Sequence, residues 1–229
     1  MARKVETKQN GKKKKVLKVI SIVFISLLAL AGIAFGVYKF VLKKEPGKTA
    51  VEVKVLDSLD EYGYSLSDKD SDLMKDEYNI LKDLLNSDSF SREEYAKQVA
   101  KIFVIDLYTI STKVNKLDIG GSEYYYLDKV SMFENKVMDT LYSNLLDNTY
   151  GDRKQALPEV KSVEIVSTEE TKYKIGEEEK SAFLVKLKWT YVKDMGYDDE
   201  GSVVLCKEDG VRVSVVDFQP TLEPEYEEE

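Results

Sequence analysis

The chain lacks histidine entirely and has a single cysteine among its 229 residues. The absence of histidine excludes Ser-His-Asp and Cys-His catalytic arrangements, histidine-liganded zinc sites and the usual pH switch. With Cys206 alone, no intramolecular disulfide can form. Cys206 ends the apolar run 203–206, so we interpret it as a small buried side chain and not as a reactive thiol.

Complete metal-binding and phosphate-binding motifs are also missing. Residues 68–72 have the D-x-D-x-D start of a calcium loop, but Leu73 and Asn79 stand where an EF-hand needs glycine and a bidentate acid. Helix capping explains these acids more simply. The pair Gly120-Gly121 is too short to cradle a phosphate. We therefore predict no enzyme, with no catalytic, cofactor-binding or metal-binding residue.

Charge is distributed unevenly along the chain. The net charge is −8, although residues 1–15 carry seven basic side chains and one acidic one. The remainder is therefore strongly acidic, which argues against binding nucleic acid through a basic surface.

A long apolar segment follows the basic arm. Residues 19–38 form a run of 20 uncharged residues, about the length that crosses a bilayer as a helix. We predict a cytoplasmic arm at 1–18 and a transmembrane helix at 19–42. The excess of lysine before the helix predicts a single-pass protein of the cell membrane with an extracytoplasmic C-terminal domain. A cleavable signal peptide ending near Ala31 is the alternative.

Three further regions follow the apolar segment. A short tether at 43–49 leads into one domain at 50–218, and an acidic tail at 219–229 is predicted to be disordered. Alternating residues near 51–55 and 62–66 predict two early strands. Helical spacing predicts helices over 70–86, from the Ser91–Glu94 capping box onward, and over 125–148. The helix that begins at the capping box has the widest apolar surface and should be the most buried.

Strands dominate after Pro158, and Val163 and Ile165 predict the first of them. Strict alternation over 183–191 predicts a strand with one buried face and one wet face, and 201–207 and 211–218 predict a hairpin. The fold class expected is α+β. It comprises an N-terminal transmembrane helix and one domain of about three helices packed on a curled antiparallel sheet of about four strands.

This order of elements over residues 50–218 resembles the cone-shaped fold of the nuclear-transport-factor-two-like superfamily. Together with the basic arm and the apolar segment, it resembles the scaffold subunits of bacterial conjugation and type IV secretion channels. The abundance of Lys, Asp, Tyr and Asn also resembles envelope proteins of low-GC Gram-positive bacteria. The resemblance implies helices packed in the concave face of a curled sheet, and it supplies no functional residue.

One acidic residue stands out, because Asp106 interrupts the apolar stretch 102–108. A buried carboxylate needs a partner or its pKa rises. Three interpretations remain open. Asp106 takes hydrogen bonds from the segment 150–154, with Arg153 as its partner; it lies on an exposed strip of the helix; or it is an acid/base in the mouth of the cone.

Four aromatic residues have two interpretations of their own. Tyr108, Phe183, Trp189 and Tyr191 either form the core face of the sheet or line a pocket. The leading functional hypothesis is a membrane-anchored scaffold that binds other envelope proteins and uses no cofactor. A small-ligand or peptide receptor is the alternative, and a hydrolase or isomerase on the same fold is third. The sequence is compatible with homo-oligomers.

Overall fold

A computed structural model describes residues 49–87, 89–208 and 211–223. One compact unit begins at Ala50. Its elements are, in chain order, β1 (Val55–Leu59), β2 (Tyr64–Ser67), α1 (Asp72–Leu85), α2 (Arg92–Tyr108), α3 (Val130–Asp139), β3 (Val160–Ile175), β4 (Glu178–Tyr191), β5 (Glu200–Lys207) and β6 (Val213–Gln219). Short 3₁₀ turns lie at Ile110–Thr112, Ser122–Tyr124 and Leu127–Lys129. The fold class is therefore α+β.

The strands form two antiparallel sheets. The first is the two-stranded hairpin β1–β2, and the second contains β3, β4, β5 and β6 in chain order. At the outer edge of β6, the N–H of Tyr126 donates to the carbonyl of Val215 at 2.8 Å. β1 begins only at Val55, because the N–H of Val51 donates to the carbonyl of Thr149 at 2.7 Å instead of joining a strand.

Local sequence signals explain where the first two helices begin. The Ser71 hydroxyl accepts the N–H of Met74 and caps α1. At α2, Ser91 and Glu94 exchange side-chain to backbone hydrogen bonds, both of 3.1 Å, so the predicted capping box is confirmed. α2 buries eleven of its 17 residues, which confirms it as the central helix of the domain.

The third helix is shorter than the predicted 125–148. The backbone of Tyr125 and Tyr126 is extended and pairs with Val215 of β6. These two residues therefore cannot begin a helix. The helix ends where Thr140 takes φ −114° and ψ −87°, outside the helical region.

The four-stranded sheet packs its inner face on α2. Val185, Leu187 and Trp189 on β4 are buried there with the helix residues Ile102 and Phe103. The outer face was predicted to be wet, and this is wrong at one end. Six outer-face residues form a second, smaller buried cluster: Tyr126, Ala182, Leu184, Val204, Cys206 and Val216.

The predicted membrane topology requires correction. Within 49–87, 89–208 and 211–223, no helix combines the length and the apolar character needed to cross a membrane. This finding stands against the predicted fold class, which included a transmembrane helix, and against the single-pass localisation with an extracytoplasmic domain. The segment 19–42 itself lies outside the described residues. The fold class is also corrected by the second, two-stranded sheet.

Candidate functional site

Asp106 lies near the C-terminal end of α2 and has a partner. Its side chain is 16% exposed, and Oδ1 accepts a hydrogen bond from the Lys113 ammonium, whose side chain is 9% exposed. Oδ2 accepts the N–H of Gly121 at 2.6 Å. Arg153 does not take this role, because its guanidinium donates to the carbonyls of Lys113 and Ser111 at 2.8 and 2.9 Å.

The electrostatics of this pair favour a structural role. Burial alone would lower the pKa of Lys113, but the Asp106 carboxylate, with Tyr142 and Asp118 adding to its effect, holds the pKa above the ordinary lysine value. Lys113 is therefore charged at neutral pH. Because both oxygens of Asp106 accept hydrogen bonds from the chain itself, the carboxylate is held in place and is poorly placed to exchange protons with a substrate.

Two glycines allow the loop after α2 to return to the helix. A Cβ on Gly120 would lie 2.0 Å from the Asp106 carbonyl oxygen, and one on Gly121 would lie 2.8 Å from the Phe103 ring. Gly121 also has φ +83°, which favours glycine. The Gly-Gly pair therefore allows the loop to pack closely against α2. The ion pair between Asp106 and Lys113 holds the same loop against the helix.

Three of the four candidate aromatics come together, and the fourth does not. The rings of Tyr108 and Trp189 lie 4.9 Å apart, and both side chains are buried. The Trp189 indole donates to the Tyr191 hydroxyl at 2.8 Å, and the Tyr108 hydroxyl donates to Asp198 at 3.0 Å. Phe183 is six residues away along β4, about 20 Å at the usual strand rise.

The Trp189 cluster is packed core and not a pocket wall. Burial, with Asp198 adding to it, raises the pKa of the Tyr108 hydroxyl, so the hydroxyl stays protonated at neutral pH. Each polar group of the cluster has a partner within it or in residues 191–198. The cluster is therefore buried and internally hydrogen-bonded.

An open recess lies at the opposite end of β4. It is an open cleft of about 1230 Å³ between the first turn of α2 and the distal half of the β3–β4 hairpin. Of its apolar lining residues, Phe183 is half-buried and contributes surface, whereas Ala182 and Val213 are almost fully buried. Its charged lining is of both signs: Arg92, Glu93, Glu170, Lys172, Glu178, Glu179, Lys180, Lys207 and Glu208.

A second recess of about 510 Å³ adjoins the cleft, and Glu208 lines both. Leu127 and Val211 border this recess and are 73% and 52% exposed. Arg212 fixes the wall between the two recesses. Its guanidinium forms an ion pair with Glu208 at 3.3 Å, donates to Ser214 at 2.9 Å and lies over the Tyr64 ring.

Sequence reasoning identified only Phe183 among the residues of the cleft. The lining comes from four separate stretches, around 91–93, 170–172, 178–183 and 207–213, which only the tertiary fold brings together. Among the described residues, no group of three or more Cys, Asp or Glu side chains is placed to hold a metal. Of the acids at 68–72, Asp70 instead accepts the N–H of Ser67 at 2.6 Å.

Comparison of the chain with models of protein families, with curated proteins and with solved structures finds no match.

Proposed function

We propose that this domain is a protein-binding module with a role in assembly and without catalytic activity. The observation that carries the proposal is the open cleft of about 1230 Å³ beside the β3–β4 hairpin. It combines the half-buried ring of Phe183 with charged walls, and protein interfaces likewise combine apolar and polar groups.

The chemistry of the cleft indicates what kind of segment fits. Phe183 is half-buried at its floor, so a partner side chain placed against it would remove the remaining apolar surface from water. Arg92 and Lys207 are exposed on the rim, as are Glu170 and Glu178. Rim charges of both signs favour a peptide that itself carries both signs, and they contribute to specificity more than to affinity.

The packed interior supports this proposal over a small-ligand receptor. Small-molecule sites usually enclose most of the ligand in a cavity with a few convergent polar groups. At the Trp189 end such a cavity is closed by Tyr108, whose ring packs on the indole. The wide cleft at the other end is open and suits a partner larger than a metabolite.

The test is site-specific photocrosslinking in the cells from which the sequence comes. A photoreactive side chain replaces Ser181, which is exposed in the cleft, and the matched control replaces Thr190, which is exposed on the same strand outside it. We expect a discrete protein adduct from position 181 and none from position 190. Equal adducts from both positions, or none from either, would contradict the proposal.

A charge substitution tests whether the rim of the cleft contributes to partner recognition. Lys207→Glu changes the rim of the cleft, whereas Lys154→Glu makes the same change at an exposed lysine outside it. The adduct from position 181 should weaken with Lys207→Glu and persist with Lys154→Glu. If both variants leave the adduct unchanged, the rim does not contribute to recognition.

A further inference from the structure

The outer edge of β3 is a long strand edge without a pairing strand. β3 runs for 16 residues, against about 5–6 for a typical strand, and pairs with β4 on one side only. Along 161–175, no backbone hydrogen bond within the described part of the chain joins β3 to anything except β4. Such an edge presents a row of N–H and C=O groups that can accept another strand.

The distal part of this edge projects beyond the rest of the sheet. β5 begins to pair with β4 at Ala182, so Glu178–Ser181 of β4 pair with β3 alone. The end of the hairpin is therefore a two-stranded ribbon, an arrangement that is marginal in water unless further strands or a packing layer support it. Tyr173 and Ile175 pack on the smaller buried cluster around Tyr126 and Leu184 and support one face of this ribbon, whereas its outer edge pairs with no strand among the described residues.

The charges on this edge are ordered in a self-complementary way. Glu169 and Glu170 precede Thr171, and Lys172 and Lys174 follow it. If a second copy runs antiparallel and crosses at Thr171, Glu170 of each copy lies opposite Lys172 of the other. Both side chains lie on one face, because Glu170 pairs with Phe183 and Lys172 with Ser181, two residues apart on β4.

We propose that two copies of this chain pair antiparallel through residues 167–175 of β3, with Thr171 opposite Thr171 on the two-fold axis. The segment has natural limits, because an irregularity in the strand lies between Ile165 and Ser167 and the turn at Gly176 follows Ile175. Lysines on a strand edge normally discourage pairing with arbitrary strands. Here the order of charges selects a second copy of the same strand.

The first test is a charge exchange followed by sedimentation velocity on the full chain, from about 1 to about 200 µM. Glu170→Lys alone and Lys172→Glu alone each place like charges opposite one another twice per dimer. We expect each to raise the dimer dissociation constant at least about tenfold, and the double variant to restore it. Lys161→Glu, on the same strand outside the segment, is the control and should leave dimerisation unchanged.

Three results would overturn the proposal: a wild-type chain that stays monomeric throughout this range, a double variant as weak as the single variants, or a control that weakens as much as they do. A thermal melt of each variant establishes that the fold is intact, so loss of the dimer can be assigned to the edge.

The second test places a cysteine on the two-fold axis. In a Cys206→Ala background, which removes the only native cysteine, Thr171→Cys should form an intermolecular disulfide under mild oxidation. Facing residues of an antiparallel pair lie about 4.5–5.5 Å apart between Cα atoms, within the usual range for a disulfide. Lys161→Cys in the same background should give little dimer. Equal crosslinking at both positions would contradict the register.

Discussion

The two faces of the four-stranded sheet are built differently. On the inner face, Val185, Leu187 and Trp189 follow one another along β4 with at most 3% exposure, and all pack in the cluster that contains α2. On the outer face, Leu184 is 9% exposed, whereas the Lys188 side chain is 55% exposed. A covering helix makes the inner face of β4 apolar from Val185 to Trp189, while the outer face is apolar only at one end.

The outer cluster is enclosed partly by tyrosines and lysines and not by a helix. Tyr173 packs against it, and the Lys129 ammonium lies 4.6 Å from the centre of the Tyr173 ring and donates to its hydroxyl at 3.0 Å. Lys180 lies over the ring of Tyr126 in the same way, at 5.6 Å. Long side chains that cover apolar surface while keeping their charge near water can thus take the place of a second layer.

The largest effect should come from the inner face. Trp189→Ala removes a buried indole and leaves a cavity between Tyr108 and the sheet, so we expect a loss of about 3–5 kcal/mol in the free energy of unfolding. Lys188→Ala, next to it on the outer face, should lose at most about 0.5 kcal/mol. Urea titration of the full chain measures both changes. Emission of the wild-type Trp189 should be blue-shifted and protected from acrylamide, and a red-shifted, quenchable signal would contradict the inner-face assignment.

The ion pair between Asp106 and Lys113, at the end of α2, should also contribute to the stability of the domain. Lys113→Met leaves the Asp106 carboxylate without its ammonium partner, and because Asp106 is only 16% exposed we expect a loss of about 2–4 kcal/mol. Adding Asp106→Asn should recover part of this loss, since no charge then remains buried. If the double variant is as unstable as the single one, the ion pair is not the cause.

The same pair predicts a dependence on alkaline pH. The folded-state pKa of Lys113 is raised above the ordinary value of 10.5, so its contribution is complete at neutral pH. The contribution is lost as the pH rises through the raised pKa. The stability difference between the wild type and Lys113→Met should therefore be constant near neutrality and shrink in the alkaline range. A stability difference that already shrinks below pH 9 would contradict a raised pKa of Lys113.

An identical substitution on each face compares them directly. Leu187 is fully buried on the inner face and Leu184 is 9% exposed on the outer one. Within the range of about 2–5 kcal/mol for Leu→Ala, we expect Leu187→Ala near the upper end and Leu184→Ala near the lower end. Equal losses would show that the tyrosine and lysine cover encloses the outer cluster as tightly as α2 encloses the inner one.

The inner face could be predicted from sequence, because the alternation of apolar and polar residues over 183–191 indicates which side chains pack against the helix. The outer cluster had a weaker signal, the unbroken apolar run 203–206, which is typical of a strand buried on both faces. β3 was predicted only near Val163 and Ile165, because residues 167–172 that follow are polar on both faces of the strand. The cleft had no local signal, since its walls come from stretches distant in sequence.

The smallest effect should come from the residues that follow β6 on the outer face. β6 ends at Gln219, and Glu223 then reaches the Lys186 ammonium of β4 at 3.1 Å. Lys186 is 15% exposed, but Glu223 is 87% exposed, so water screens the pair and we expect Glu223→Gln to lose at most about 0.5 kcal/mol. Urea titration at low and high salt measures it, and the small loss should fall further at high salt. A loss above about 1 kcal/mol would mean that the segment around Glu223 covers part of the outer face, and the two faces would then be more alike than their side chains indicate.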